Sequence, residues 1–126
     1  MTGLVVVSHS ATAAAGIAEV AAEMGGDTHI EAVGGDGRGG IGTVPDDIVA
    51  ALTSADDGDG VVVLVDLGSA VINAEVAIET SDAKAVIADA PVLEGAVNAA
   101  VAATDPEATL DSVHEQAEAA RDVDKL

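Results

Sequence analysis

"GVVVLVDLG", residues 60–68, is the stretch on which the fold turns. Four valines and a leucine follow one another without polar alternation and stop at Asp66, with a glycine at each end. An apolar run this short and this rich in β-branched residues predicts a strand buried on both faces. Such strands belong in the middle of parallel sheets, where helices cover both sides.

The segments on either side support that reading. "GLVVVS" at 3–8 is a second buried strand, and a helix over 12–24 follows it. That helix carries Ile17, Val20, Ala21 and Met24 at i, i+3, i+4 and i+7, the spacing of an inward face, and "GG" at 25–26 ends it. Residues 29–35, "HIEAVGG", alternate as a weaker strand. The glycine-rich "GGDGRGGIGT" at 34–43 then leads to "VPDDIVAALTSA", where Pro45 and two aspartates mark a helix start. Beyond the central strand, "SAVINAEVAIE" reads as a helix, "KAVIADAPV" at 84–92 as a fourth strand and "LEGAVNAAVAAT" as a helix. Residues 105–120 form a last helix, with Leu110, Val113 and Ala117 at helical spacing. The order β-α-β-α-β-α-β-α-α predicts one α/β domain over residues 1–126, a mostly parallel central β-sheet with helices on both faces.

Composition narrows the function classes. The chain has 126 residues with no Phe, Trp, Tyr or Cys, so its core must be built from Val, Ile, Leu, Ala and Met. Disulfides, thiol catalysis and thiolate metal sites are excluded. No apolar run reaches the ~18 residues of a membrane span, and no basic segment precedes an apolar one as in a signal peptide. A soluble cytoplasmic domain is expected. Twenty-three acidic residues oppose four basic ones, a formal charge of −19. Nucleic acid is an unsuitable partner for such a surface. At ~1 M salt the Debye length shrinks to ~3 Å and the self-repulsion is relieved, so adaptation to a high-salt cytoplasm is expected.

Ligands of open parallel sheets bind beyond the carboxyl ends of the strands. Three segments converge there: Ser8-His9-Ser10, the glycine loop, and "DLGSA" at 66–70. If the first and third strands are neighbours, His9 and Asp66 emerge side by side. The carboxylate then fixes the imidazole tautomer and turns the other ring nitrogen outward, as a nucleophile or base requires. The helix N-terminus near Ala11 and the glycines from 34 to 42 supply backbone N–H groups for an anion. Taken singly, His9 is an ordinary loop residue, Asp66 a helix cap and the glycine loop a connector; together they make a site. His29 and His114 have no supporting pattern and are assigned to structure or surface. One His and one Asp are too few for a metal, and the glycine loop lacks the lysine of a Walker A motif. A receiver-type phosphoaspartate site lacks its acidic pair. A flavin site stays open on "SHSATA", although the chain has no aromatic to stack the flavin.

The motifs "VVVSHS", "AVGGDGRGGIGT", "GVVVLVDLGSAVINAE" and "DAPVLEGAVNAA" resemble the mannose-type enzyme IIA domain of the phosphotransferase system over nearly the whole chain. "DLGSA", "NAE" and "DAPVLEGA" are similar to the branch serving phosphoenolpyruvate-dependent dihydroxyacetone kinase. The resemblance implies that His9 takes a phosphoryl group from the carrier HPr, as a tele-phosphohistidine, while Asp66 holds the other ring nitrogen. Ser10, Gly34, Gly35, Thr43, Gly68 and Ser69 would surround the phosphoryl group. It implies onward transfer to ADP held on DhaL, phosphorylation of dihydroxyacetone on DhaK, a homodimer, and no cofactor. Some relatives continue into HPr-like and enzyme I-like domains. This sequence ends after its first domain and is expected to depend on separate donors. Arg38, one of four basic residues, is read as steering donor proteins or offsetting phosphoryl charge. Two alternatives within the resemblance are a sugar-transport enzyme IIA serving a IIB partner, and a regulatory module that senses HPr phosphorylation.

Overall fold

The computed structural model describes residues 1–126. Its elements are β1 (Gly3–Ser8), α1 (Ala11–Met24), β2 (Ile30–Gly34), α2 (Pro45–Ala55) and β3 (Val61–Val65). They continue with α3 (Gly68–Thr80), β4 (Ala85–Ile87), α4 (Val92–Ala103), α5 (Leu110–Ala119) and a 3₁₀ turn at Ala120–Asp122. The four strands form one parallel sheet in the order β2-β1-β3-β4. The two most apolar strands are therefore central, as their lack of alternation requires. Leu4–Val7 and Val61–Leu64 are fully buried.

Alternate residues of the central strands feed two cores. Leu4, Val6, Val62 and Leu64 pack under α1, α4 and α5. Val5, Val7, Val61 and Val63 pack under α2 and α3. Each fully buried Val or Leu contributes about 1.5–3 kcal/mol by leaving water, so the sheet centre dominates stability. The helices meet it largely through alanine: Ala70, Ala74 and Ala77 on α3, and Ala96, Ala99, Ala100 and Ala103 on α4.

Several expectations are corrected in detail. Val20 and Met24 face solvent, while Ala14 and Ala21 fill the buried face of α1. The fourth strand is only Ala85–Ile87, since the chain must turn out of the sheet before Pro91 begins α4. The last helix starts at Leu110, not 105. Asp105 instead takes the Glu107 N–H in a turn, and Thr109 and Ser112 cap α5 reciprocally. No helix is long and apolar enough to cross a membrane.

Candidate functional site

All four strands run the same way, so the segments leaving their carboxyl ends gather on one edge. The register Val7↔Val65 and Ser8↔Gly34 brings Asp66 beside Ser8 on one side and the glycine loop on the other. A backbone bond from Asp66 N–H to the Val7 carbonyl, 3.2 Å, continues the ladder one residue past the strand.

Asp66 is the hub. Its Oδ1 lies 2.9 Å from His9 Nδ1, and its Oδ2 accepts from the His9 backbone N–H (3.0 Å) and the Ser8 hydroxyl (2.8 Å). Burial pushes the carboxyl's pKa up, but the His9 N–H, the His9 ring and the Ser8 hydroxyl outweigh it and hold it below the ordinary value. An ionised carboxylate only accepts, so Nδ1 carries the ring proton and Nε2 the lone pair. Nε2 lies 2.6 Å from Ser69 Oγ, whose hydroxyl is free to donate to it. Ser69 sits in the first turn of α3 and Ser10 caps α1, its Oγ accepting from Ala13 N–H. Two helix N-termini thus meet at the imidazole, each an anion-favouring end.

The glycine loop closes the site from the β2 side. Gly42 N–H donates to the His9 carbonyl at 2.9 Å. A Cβ on Gly34 would run into the backbone of Ser8 and Ser10, and Gly35 takes a φ of +85° that side chains disfavour. The loop is also ordered from within. Asp36 Oδ1 accepts from Arg38 N–H (2.8 Å) and Gly40 N–H (2.9 Å), and these bonds lower its pKa. Thr43 ends the loop, and Asn73 Nδ2 donates to its Oγ1 at 2.5 Å, tying loop to α3.

The structure therefore brings His9, Asp66, Ser10, Gly34, Gly35 and Ser69 together. Gly68 is the exposed first residue of α3, while Thr43 stands at the loop's end on Asn73. Arg38 is exposed and its guanidinium has no ion pair, in contrast to Arg121 with Asp89 and Lys125 with Glu94. His29 and His114 lie elsewhere, beside Glu31 and Glu118. No three His, Asp or Glu side chains are grouped to hold a metal ion. Sequence reading placed Ser8 in the converging segment without its bond to Asp66, and missed Asp36 and Asn73. The signal for the Ser8 bond was a polar residue closing an apolar strand; in the structure it is 2 % exposed.

The parallel α/β domain is the fold the sequence led us to expect, and it sets His9 and Asp66 side by side at the strand ends. The family profile EIIA-man, PTS system fructose IIA component, matches residues 3–114, and the chain belongs to that family, on its DhaM branch. It is 40 % identical over 106 residues to the phosphoryl donor subunit DhaM of PEP-dependent dihydroxyacetone kinase 2 of Listeria innocua, covering 80 % of this chain and 85 % of that one. It is 34 % identical over 116 residues to the phosphotransferase subunit DhaM of the PTS-dependent dihydroxyacetone kinase of Lactococcus lactis, covering 92 % and 93 %. The Escherichia coli DhaM is 36 % identical over 111 residues, and this chain spans 24 % of its length. Among solved structures, the unknown function protein EF1359 superposes with a TM-score of 0.81 at 29 % identity, covering 94 % of each chain. The matches lend no support to a high-salt habitat, an expectation that rests on charge alone.

Proposed function

We propose that this chain is the phosphoryl-carrying subunit of a phosphoenolpyruvate-dependent dihydroxyacetone kinase and that His9 Nε2 is the atom that carries the group. The observation behind this is the Asp66 carboxylate on Nδ1, which leaves Nε2 as the nucleophile. The Nε2 lone pair attacks phosphorus on the phosphohistidine of HPr; a P–N bond forms here as the donor's P–N bond breaks. The ring then bears positive charge, which Asp66 offsets through Nδ1–H. Ser69 Oγ–H, with the N–H groups of the α1 and α3 first turns and of the loop at Gly34 and Gly35, then faces the phosphoryl oxygens. Phosphoryl transfer depends mainly on such positioning and charge stabilisation. In the second half, a β-phosphate oxygen of ADP held on DhaL attacks phosphorus and the electron pair returns to Nε2. DhaK then uses the resulting nucleotide on dihydroxyacetone. A chain of charge −19 is a poor host for a free nucleotide, which supports an acceptor that presents ADP itself. Arg38 offsets phosphoryl charge or steers the donor. The working form is a cytoplasmic homodimer.

The test incubates the protein with phosphoenolpyruvate, enzyme I and HPr, then adds DhaL–ADP and DhaK with dihydroxyacetone. Acid-labile phosphate is expected on the wild type, absent from His9→Ala, and discharged by DhaL–ADP. Label on His9→Ala overturns the site. Discharge by a sugar-transport IIB protein alone assigns the chain to that system, and no discharge at all makes it a regulatory module.

A further inference from the structure

Ser8 is the one polar residue of β1, buried at the end of a strand whose other residues are glycine, leucine and valine. Valine there would extend the apolar run, so a buried hydroxyl in its place needs partners. It has one on each side. Ser8 Oγ accepts the Ser10 backbone N–H at 3.1 Å and donates to Asp66 Oδ2 at 2.8 Å. The direction is fixed, because an N–H only donates and an ionised carboxylate only accepts. Asp66 Oδ2 also takes the His9 backbone N–H at 3.0 Å, while Oδ1 serves His9 Nδ1 at 2.9 Å. The carboxylate is thus divided: two donors hold one oxygen and the ring holds the other. Of those two donors, only the Ser8 hydroxyl belongs to a side chain. The side chains of His9 and Asp66 are 19 % and 20 % exposed, so these bonds act with little competition from water.

We propose that Ser8 is a positioning residue that sets how tightly His9 holds its phosphoryl group, by keeping part of the Asp66 charge on the oxygen away from Nδ1. The inference deepens the carrier reading and rests on it. Once phosphorylated on Nε2 the ring is cationic, and Asp66 stabilises it through Nδ1–H. Every donor on Oδ2 makes the carboxylate less basic and weakens that grip. A carrier has to surrender the group as readily as it takes it, and too strong a grip would trap the phosphoryl group on His9. The Ser8 hydroxyl lowers it. A serine that merely packed would act otherwise: its loss would slacken Asp66 and loosen the grip. The two roles therefore move the equilibrium with the donor in opposite directions.

Wild type, Ser8→Ala and Ser8→Thr are each equilibrated with phosphorylated HPr, an exchange in which one P–N bond forms as another breaks. ³¹P NMR reads the phosphoryl distribution, and ¹H NMR of the unphosphorylated proteins reads the Nδ1–H resonance. Ser8→Ala is expected to shift the equilibrium about threefold or more toward phosphorylated His9, the worth of a weak net hydrogen bond. It should also slow discharge to DhaL–ADP by a similar factor and move Nδ1–H downfield. Ser8→Thr, which restores the hydroxyl, should return all three readings toward wild type. An equilibrium unchanged in Ser8→Ala, or shifted toward HPr, overturns the proposal, as does an Nδ1–H resonance that stays or moves upfield. Ser8→Thr matching Ser8→Ala denies the hydroxyl its role and overturns it too; where the threonine variant does not fold, the Ser8→Ala resonance decides. Absence of label on wild-type His9 sinks the carrier reading instead, and leaves the resonance to test the link from Ser8 through Asp66 to His9 on its own.

Discussion

Replacing Asp66 with asparagine removes a charge and one acceptor while keeping the shape. The carboxylate now serves His9 Nδ1 with one oxygen and the His9 N–H and Ser8 hydroxyl with the other. An amide has a single oxygen. If that oxygen stays on Nδ1, the NH₂ group confronts the His9 backbone N–H, and an unsatisfied donor costs about 1–3 kcal/mol. If the amide turns over, its oxygen satisfies the backbone and Ser8, and its NH₂ group points at Nδ1. The ring must then accept at Nδ1 and carry its proton on Nε2, the tautomer that cannot attack phosphorus. The second arrangement leaves fewer polar groups unpaired and should dominate. The competent tautomer loses a hydrogen bond to a charged group, about 1.5–3 kcal/mol. At 1.36 kcal/mol per tenfold, transfer slows roughly 10- to 150-fold. Rapid-quench measurement of labelling by phosphorylated HPr gives the rate, and ¹⁵N NMR of the imidazole gives the tautomer. A rate within twofold of wild type, with the proton still on Nδ1, refutes the reasoning.

Ser69→Ala removes the hydroxyl facing Nε2, a neutral hydrogen bond of about 0.5–1.5 kcal/mol, and should slow the same transfer roughly 2- to 12-fold; an unchanged rate removes Ser69 from the site. Gly34→Ala forces a methyl against the backbone of Ser8 and Ser10, an overpacking cost of about 1–3 kcal/mol, and should lower Tm in a thermal melt by roughly 4 °C per kcal/mol. Asp56 lies on the opposite edge, where the Gly58 N–H chiefly, with those of Lys84 and Gly60, lowers its pKa against the effect of burial. Its contribution to stability is complete above the ordinary carboxylate pKa of about 3.9. It is lost as pH falls through the lower native value, so Asp56→Asn should flatten the acid limb of stability in circular dichroism; an identical acid limb refutes this. Raising salt from 0.1 to 3 M should raise Tm, since screening relieves repulsion among 23 acidic residues, and a flat profile removes the case for salt adaptation.

The central strands could be read from sequence because burial on both faces leaves an unbroken apolar run, as in Val61–Val65. The pairing of His9 with Asp66 was also legible, conditional on β1 and β3 being neighbours, which the sheet order satisfies. Helix α1 misled because hydrophobic periodicity weights large side chains, whereas its buried face is Ala14 and Ala21, with Ile17 only partly covered. The supporting residues were harder to see for a different reason. Ser8, Asp36 and Asn73 act through hydrogen bonds to Asp66, to the loop's own N–H groups and to Thr43. Two of those three partnerships join segments 30 or 58 residues apart. Only the folded arrangement of the strand ends makes them partners.

The alanine layer between sheet and helices has a consequence for how this protein can change. Alanine surrenders no rotamer freedom on burial, whereas leucine or isoleucine loses about 0.5–1 kcal/mol, so the helix faces are ordered at little side-chain entropy. Close approach leaves no slack, however. Trimming Ala70, Ala74 or Ala77 means glycine, which loosens the helix itself by about 0.8–1.0 kcal/mol, and any larger residue must push α3 off the strands. Because α3 also presents Ser69 to His9, its inner face is caught between the two failures: substitutions there tilt the edge that carries His9 before they unfold the domain, making three featureless methyl groups as narrowly constrained as the histidine beside them.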